Sequence, residues 1–304
     1  MTRRLVAIVN AAAGVENNPS PDELTQRFHL DDINARIAVA RNGDEIASLA
    51  RAAVTEQPDI IVAGGGDGTI NAVAAALIGS TIALGVLPLG TLNHFAKALA
   101  LPLEWPEAAR VIIEGRPVEV DVGEINGRIF LNNSSLGLYP SLVHRRERQQ
   151  EQLGRGKWSA AAWAALTLLR RHALLRVRIE LNGEHLDRHT AIVFIGNNAY
   201  EMSGLRVGER ERLDGGQLGL YLPHRDGRQG LFMLGLRALC GRLREAHDFD
   251  ALFATEIDIE THHQHLPVAI DGEVVLLEAP LRYRIIPRAL RVITAPPAAI
   301  APAA

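Results

Sequence analysis

Three stretches in the first part of the chain are apolar without alternation: Leu5–Val9, the opening of the run Ile60–Thr69, and Ile82–Leu87. Continuous apolar runs of this length fit strands covered on both faces, as in a parallel sheet. Between them, apolar residues fall at helical spacing. Ile46, Leu49, Ala50, Ala53 and Val54 do so within Asp44–Gln57, and Ile70, Val73, Ala74 and Leu77 share one face after the second run. With Arg36–Ala40 as a further strand and a helix over His94–Leu99, strand and helix alternate, which predicts a doubly wound α/β domain.

The pattern changes near Val118. Val118, Val120 and Val122 alternate with polar residues, and Asn126-Gly127 marks a hairpin turn before Ile129-Phe130-Leu131. A second Asn-Gly, Asn182-Gly183, separates alternating Val177, Ile179 and Leu181 from Ala191–Ile195. Gln217–Leu222, Glu256–Glu260, Val268–Ile270 and Leu281–Ile286 add short strands, with helical insertions at Lys157–His172 and Arg228–His247. This predicts an antiparallel, β-sandwich-like second domain. The expected organisation is an α/β nucleotide-binding domain over residues 1–122, a β-rich substrate domain over 123–290, and a tail over 291–304 that returns to the first domain. The Ala/Pro-rich part of that tail, from Ala295, is expected to fray.

A length of 304 residues suits two domains. The formal charge of −3, with acids and bases interspersed, argues against a nucleic-acid partner, which needs a broad basic field. The single cysteine, Cys240, lies in an apolar helical stretch and fits a reducing compartment. Leu5–Val9 is too short for a signal segment, and no apolar run reaches the roughly 18 residues of a spanning helix. A cytoplasmic protein is expected, with peripheral contact at the inner membrane face left open.

The chemistry concentrates at strand ends. Ile60–Thr69 closes on Gly64-Gly65-Gly66-Asp67-Gly68-Thr69, a turn bare enough for phosphate oxygens to approach the backbone, and a helix opens beside it. No Walker-type Gly-x-x-x-x-Gly-Lys-Ser/Thr occurs, so Asp67 is expected to act through a metal ion or a proton. Asn10–Gly14 and Gly90–Asn93 follow the other two apolar strands. In doubly wound sheets the ligand crevice lies at the carboxyl ends of the strands, so three loops are expected to converge there. Asp121, Asp214 and Asp271-Gly272-Glu273 place acidic residues beside glycine in the second part of the chain. They read either as ordinary turns or as the carboxylates phosphoryl transfer needs for a metal and a base.

Gly65-Gly66-Asp67-Gly68-Thr69, then Gly90-Thr91-Leu92-Asn93-His94-Phe95-Ala96, Leu213-Asp214-Gly215-Gly216-Gln217-Leu218 and Asp271-Gly272-Glu273, taken in order, resemble the bacterial diacylglycerol kinase-like lipid kinases. That family is related to sphingosine and ceramide kinases and, more distantly, to NAD kinases and phosphofructokinases. The resemblance implies ATP in a crevice between the domains, with Asn10, Gly65, Gly66, Gly68, Thr69, Gly90, Thr91 and Asn93 at the nucleotide. It implies that Asp67 serves a catalytic magnesium and that Glu273 is the general base. Asp121 and Asp214 then belong to an acidic network, with Asp214 and Leu218 near a structural magnesium. The residue after Asn93, often aspartate in the family, is His94 here, which reads as a neutral structural histidine or a phosphate contact.

The function so implied is an ATP- and magnesium-dependent lipid kinase. Diacylglycerol is the favoured acceptor, and a sphingoid base, a ceramide-like lipid and a prenol lipid stay open. A soluble-acceptor kinase of the NAD kinase type and a non-catalytic nucleotide-binding regulator are the alternatives. The expected partners are ATP and a lipid substrate at the membrane surface, and a homodimer is left open. Lys157–Arg171, with Trp158 and Trp163 between basic ends and Arg145, Arg146, Arg148 and Arg155 upstream, reads as a helix packed on the sandwich or as an amphipathic lipid-facing surface. His262, His263 and His265 lack partners at ligand spacing and read as a solvated turn.

Overall fold

The apolar runs form fully buried strands in the computed structural model, which describes residues 3–13, 19–29, 33–137, 174–201, 210, 212–223 and 249–296. Gly14, both expected helical insertions, their tryptophans, the upstream arginines and Cys240 lie outside the described residues. Two units are distinguished: one holds the described residues up to Asp121 and from Pro287 onward, the other runs from Val122 to Ile286.

In the first unit the chain order is β1 (Arg4–Asn10), α1 (Pro21–His29), β2 (Asn34–Ala40), α2 (Gly43–Thr55), β3 (Ile60–Gly65), α3 (Asp67–Leu77), β4 (Ala83–Pro88), α4 (His94–Ala98) and α5 (Trp105–Glu114), leading into β5 (Arg116–Ile125). The strands are parallel in the order β2-β1-β3-β4. Because β2 and β3 lie on opposite flanks of β1, the sheet's winding reverses between β1 and β3. Crevices of doubly wound sheets form at such a reversal, at the carboxyl ends of its strands.

Helix starts are set by side chains. Ser20 and Glu23 cap α1 reciprocally, Ser20 N–H donating to Glu23 Oε2 at 2.7 Å and Glu23 N–H to Ser20 Oγ at 3.2 Å. Asn42 Oδ1 accepts from Glu45 N–H at 2.9 Å at the start of α2. Leu24, Phe28 and Ile112 of α1 and α5 pack with Leu5, Ile60, Val62 and Leu87 in one core.

In the second unit β5 turns through Asn126-Gly127, at φ of 45° and 81°, into β6 (Arg128–Phe130). Then follow β7 (Asn133–Gly137), β8 (Leu175–Leu181), β9 (Glu184–Thr190), β10 (Ile192–Asn197), β11 (Leu218–Pro223), β12 (Phe249–Ala254), β13 (Glu256–Thr261), β14 (His265–Ile270), β15 (Glu273–Glu278) and β16 (Leu281–Thr294). One sheet has the order β12-β11-β10-β7-β14-β15 and is antiparallel throughout. In the other, the first part of β16 pairs with β13, β13 with β8 and β8 with β9, all antiparallel. Leu136, Ile195, Leu220 and Val268 of the first sheet share one core with Ile179, Ile259 and Tyr283 of the second, so the two face each other as a sandwich. Beyond Pro287, β16 belongs to the first unit, where Val292 pairs in parallel with Leu84 of β4.

The expected α/β and antiparallel sandwich-like architecture is present. The expectation passed directly from Asn182-Gly183 to Ala191–Ile195, whereas β9 intervenes. Its sequence Glu-His-Leu-Asp-Arg-His-Thr is mostly exposed and, among the described strands, pairs with β8 alone, so burial imposes no apolar pattern on it. Helices α1 and α5 and strands β7, β12 and β15 are likewise additions to the expected elements.

Tyr283 fills the sandwich core at 1% exposure, edge-on to Phe130 at 6.2 Å, with its hydroxyl 3.0 Å from Ser134 Oγ. Burial pushes its phenol above the ordinary value of 10.0, opposed by the Ser134 hydrogen bond. A folded-state pKa above the unfolded value gives stability that is full below pH 10 and is lost as pH rises beyond it. Tyr283→Phe is expected to cost about 1–2 kcal/mol at pH 8, because Ser134 Oγ loses its buried partner. Urea unfolding at pH 8 and at pH 10.5 should also show a shallower alkaline loss than in the wild type.

Candidate active site

The end of β3 is crowded where it leads into the turn. A Cβ on Gly65 would lie 2.4 Å from Thr69 Oγ1, and one on Gly64 would press on Val9 at 3.1 Å. Gly66 caps α3 without a side-chain hydrogen bond, and Ile70 N–H to Gly66 O, at 3.0 Å, opens the helix ladder. The N–H groups of Asp67, Gly68 and Thr69 therefore have no acceptor within the helix. Thr69 is buried, and its Oγ1 accepts from Asn10 Nδ2 at 3.2 Å, joining the end of β1 to the glycine turn. Asn10 Oδ1 in turn accepts from Ala12 N–H at 3.0 Å.

The loop after β4 closes on the same turn. A Cβ on Gly90 would sit 2.4 Å from Gly66 Cα, so the two backbones touch. Leu89 N–H donates to Gly65 O at 3.0 Å, continuing the strand pairing past the strand ends. Asn93 is buried in the left-handed region at φ 51°. Its Oδ1 accepts from Gly90 N–H at 3.1 Å and its Nδ2 donates to Gly90 O at 2.8 Å and Pro88 O at 3.2 Å. Asp67 bridges the two loops: Oδ2 accepts from His94 N–H and Oδ1 from Phe95 N–H, each at 3.1 Å. Asp67 thus caps α4. The His94 position meets the site through its backbone, while its side chain is exposed, as is that of Thr91.

In the second unit Asp271 and Gly272 form the two-residue turn between β14 and β15, both at positive φ (47° and 91°), and exposed Glu273 opens β15 opposite Ile270. The Asp271 carboxylate accepts three consecutive backbone N–H groups, from Leu131 and Asn132 at 2.8 Å and Asn133 at 3.0 Å. Arg212 pairs with Asp214 in a bidentate ion pair at 3.0 and 3.3 Å. Leu218 is buried at the start of β11, and Asn198 Oδ1 holds the preceding loop through Gly215 N–H at 2.8 Å. Asp121 belongs to the first unit, buried, accepting from Arg288 N–H at 2.8 Å.

The structure thus brings Asn10, Gly65, Gly66, Asp67, Thr69, Gly90 and Asn93 together within the first unit. Glu273, Asp214 and Leu218 belong to the second. Among the described residues no group of three or more His, Cys, Asp or Glu side chains is arranged as a metal cage. Magnesium at phosphoryl-transfer sites is commonly held by one or two carboxylates plus substrate phosphates, and each Asp67 oxygen keeps a lone pair beyond its N–H bond, so the donor set fits that mode.

Sequence reasoning passed over Arg210, Asn132, Asn197 and Tyr200. Arg210 is buried, lies 5.5 Å over the Tyr200 ring, and donates to Leu131 O (2.6 Å), Asn197 O (3.2 Å) and Asn132 Oδ1 (2.7 Å). Burial pulls its guanidinium below the ordinary value, while Tyr200 and Asp271 act in the opposite direction. In sequence it sits in the run Glu209-Arg210-Glu211-Arg212, which reads as a solvated face. The usable signal was the pair of Asn-Asn dipeptides, Asn132-Asn133 and Asn197-Asn198, at strand ends.

A doubly wound unit with a bare glycine turn at its reversal, followed in the chain by an antiparallel sandwich, is found in a chain whose relatives are named lipid and diacylglycerol kinases, the class of phosphotransferases whose acceptor is a hydroxyl. Residues 4–125 match the diacylglycerol kinase catalytic domain and residues 142–294 the YegS C-terminal NAD kinase beta sandwich-like domain. The chain belongs to the diacylglycerol kinase-like lipid kinase family. It is 28% identical over 210 residues to a probable lipid kinase YegS-like of Klebsiella pneumoniae, covering 68% of this chain and 70% of that one. It is 34% identical over 141 residues to a diacylglycerol kinase of Staphylococcus saprophyticus, covering 45% of this chain and 46% of that one, so it spans under half of that relative. Among solved structures, a putative diacylglycerol kinase from Bacillus anthracis shares the fold at a TM-score of 0.74 and 22% identity, over 97% of both chains.

Gly90→Ala should force the two loops apart. A loss of about 1–3 kcal/mol in urea unfolding is expected, since the new methyl meets backbone that cannot rotate away. Gly127→Ala, at a positive φ but with nothing within 4 Å, serves as the control for conformational strain alone.

Proposed function

We propose that this chain transfers the γ-phosphoryl group of ATP to a lipid hydroxyl in a magnesium-dependent reaction, with diacylglycerol as the favoured acceptor. The observation that carries the reading is the meeting of three strand-end loops at the reversal of a parallel sheet, in a chain of this family. The N–H groups at the start of α3 supply donors for phosphate oxygens, and Gly65, Gly66 and Gly90 keep that approach clear of side chains. Asn10, Gly68, Thr69, Thr91 and Asn93 complete the nucleotide site in this reading.

Asp67 would hold the catalytic magnesium together with the nucleotide. Asp121 is assigned to the acidic network, and Asp214 with Leu218 to a second, structural magnesium. Bound magnesium neutralises charge on the phosphate oxygens. Glu273, exposed at the head of β15, takes the proton of the lipid hydroxyl as the new O–P bond forms and ADP departs. This reading has the protein meet its lipid peripherally, at the inner membrane face; no described helix is long and apolar enough to cross a membrane.

The test is transfer of labelled phosphate from ATP into a total lipid extract, with the product identified and NAD offered as the rival acceptor. A labelled phosphatidic acid supports the assignment; a labelled dinucleotide, or ATP binding without transfer, overturns it. Glu273→Gln is expected to lower kcat on the lipid acceptor by about 10²- to 10⁴-fold, the usual contribution of a general base. Asp67→Ala should abolish transfer, and circular dichroism should show that it remains folded.

A further inference from the structure

Arg210 has no part in the chemistry proposed above, yet it is the arginine that falls among the buried residues in the described part of the chain. A buried guanidinium is expensive to desolvate, and an apolar side chain of similar volume is often no worse for stability. Its contacts indicate what it does instead. The segment Leu131-Asn132-Asn133 runs between two opposite charges. On one side the Asp271 carboxylate accepts all three N–H groups. On the other, Arg210 holds the Leu131 carbonyl and the Asn132 side chain. Tyr200, lying under the guanidinium, donates its hydroxyl to Asn132 O at 3.1 Å. Asp271 also donates its own N–H back to Asn133 O at 2.9 Å, so the turn is fastened to the segment in both directions.

Glu273 stands two residues beyond Asp271 on a turn whose two central residues both occupy the left-handed region, a geometry with little freedom. Whatever fixes Leu131–Asn133 therefore fixes Asp271, and through it the direction in which Glu273 leaves the turn. We propose that Arg210 is a positioning residue for Glu273, acting through the Leu131–Asn133 segment and the Asp271 carboxylate. This rests on the reading of Glu273 as the general base.

The experiment compares Arg210→Gln, Arg210→Lys and Tyr200→Phe, each alone and combined with Glu273→Gln, in the full-length chain. Two readouts are taken: amide hydrogen exchange, and steady-state transfer from ATP to the lipid acceptor. In Arg210→Gln the amides of residues 131–133 should exchange about 10- to 100-fold faster while those of α3 do not change. Its kcat should fall about 10- to 100-fold, the effect of misplacing a reacting group, with KM for ATP within about twofold of wild type. Arg210→Lys should recover part of the loss. In the Glu273→Gln background Arg210→Gln should add nothing, because both changes disable one function.

Unchanged exchange in Arg210→Gln overturns the proposal, and so does loosened exchange with kcat retained, or a loss fully additive with Glu273→Gln. Should Arg210→Gln fail to fold, Tyr200→Phe, which removes one hydrogen bond to the same segment, carries the comparison with an expected kcat loss of about threefold to tenfold. A wild-type chain inert towards every lipid hydroxyl overturns the parent reading and this one with it. An active wild type whose Arg210→Gln variant keeps its kcat overturns this one alone.

Discussion

The contact between Gly66 and Gly90 sets the geometry on which the candidate site depends. Adjacent strands lie about 4.8 Å apart, and the loops that leave them diverge unless something holds them together. Here two residues without side chains let the backbones touch, which brings Leu89 N–H within reach of Gly65 O. It also brings the first N–H groups of α4 to Asp67. The ends of β3 and β4 thereby behave as one body, and Asn10 ties in the end of β1 through Thr69. The first turn of α3 is left bordered by glycines, and its first N–H groups have no acceptor within the helix. The anion site proposed there is made by excluding side chains rather than by adding them.

Two aspartates beside glycine turn out to be fasteners of backbone, to different degrees. Asp271 accepts three N–H groups and so spends most of the roughly four lone-pair positions of a carboxylate on its own fold. Asp67 accepts two and keeps capacity for a cation. Glu273, by contrast, stands exposed at the head of its strand. The acidic residues that look equivalent in the sequence are thus separated by how much hydrogen-bonding capacity the fold has already consumed. That separation is compatible with the roles proposed above from the family resemblance, proton transfer for Glu273 and charge neutralisation for Asp67.

The parts of the fold legible in the sequence are those on which burial imposes a pattern. β1, β3 and β4 are covered on both faces, so their sequences can be little but apolar, and the glycines at the end of β3 and after β4 sit in close contact with Val9, Thr69 and Gly66. β9 escaped notice because an edge strand with one partner needs no apolar alternation. Arg210 escaped for the opposite reason: it is buried, but its neighbours Glu209, Glu211 and Arg212 give the run the look of solvent. The partners that justify burying it, a carbonyl at Leu131 and a side chain at Asn132, lie 79 and 78 positions away. No local pattern encodes an interaction whose acceptors, one backbone and one side-chain oxygen, lie so distant in sequence.

The same reasoning bears on His94, where this chain departs from the aspartate common in the resembling family. The link between that position and the site is a main-chain N–H donating to Asp67, which any residue but proline supplies. The substitution therefore leaves the clamp between the loops untouched and alters only an exposed side chain beside the glycine turn. Replacing a carboxylate there with imidazole removes a negative charge beside the turn, a change whose electrostatic sign favours the phosphate approach proposed above. The departure is thus compatible with the same loop geometry, because the hydrogen bond that residue 94 gives Asp67 comes from its backbone.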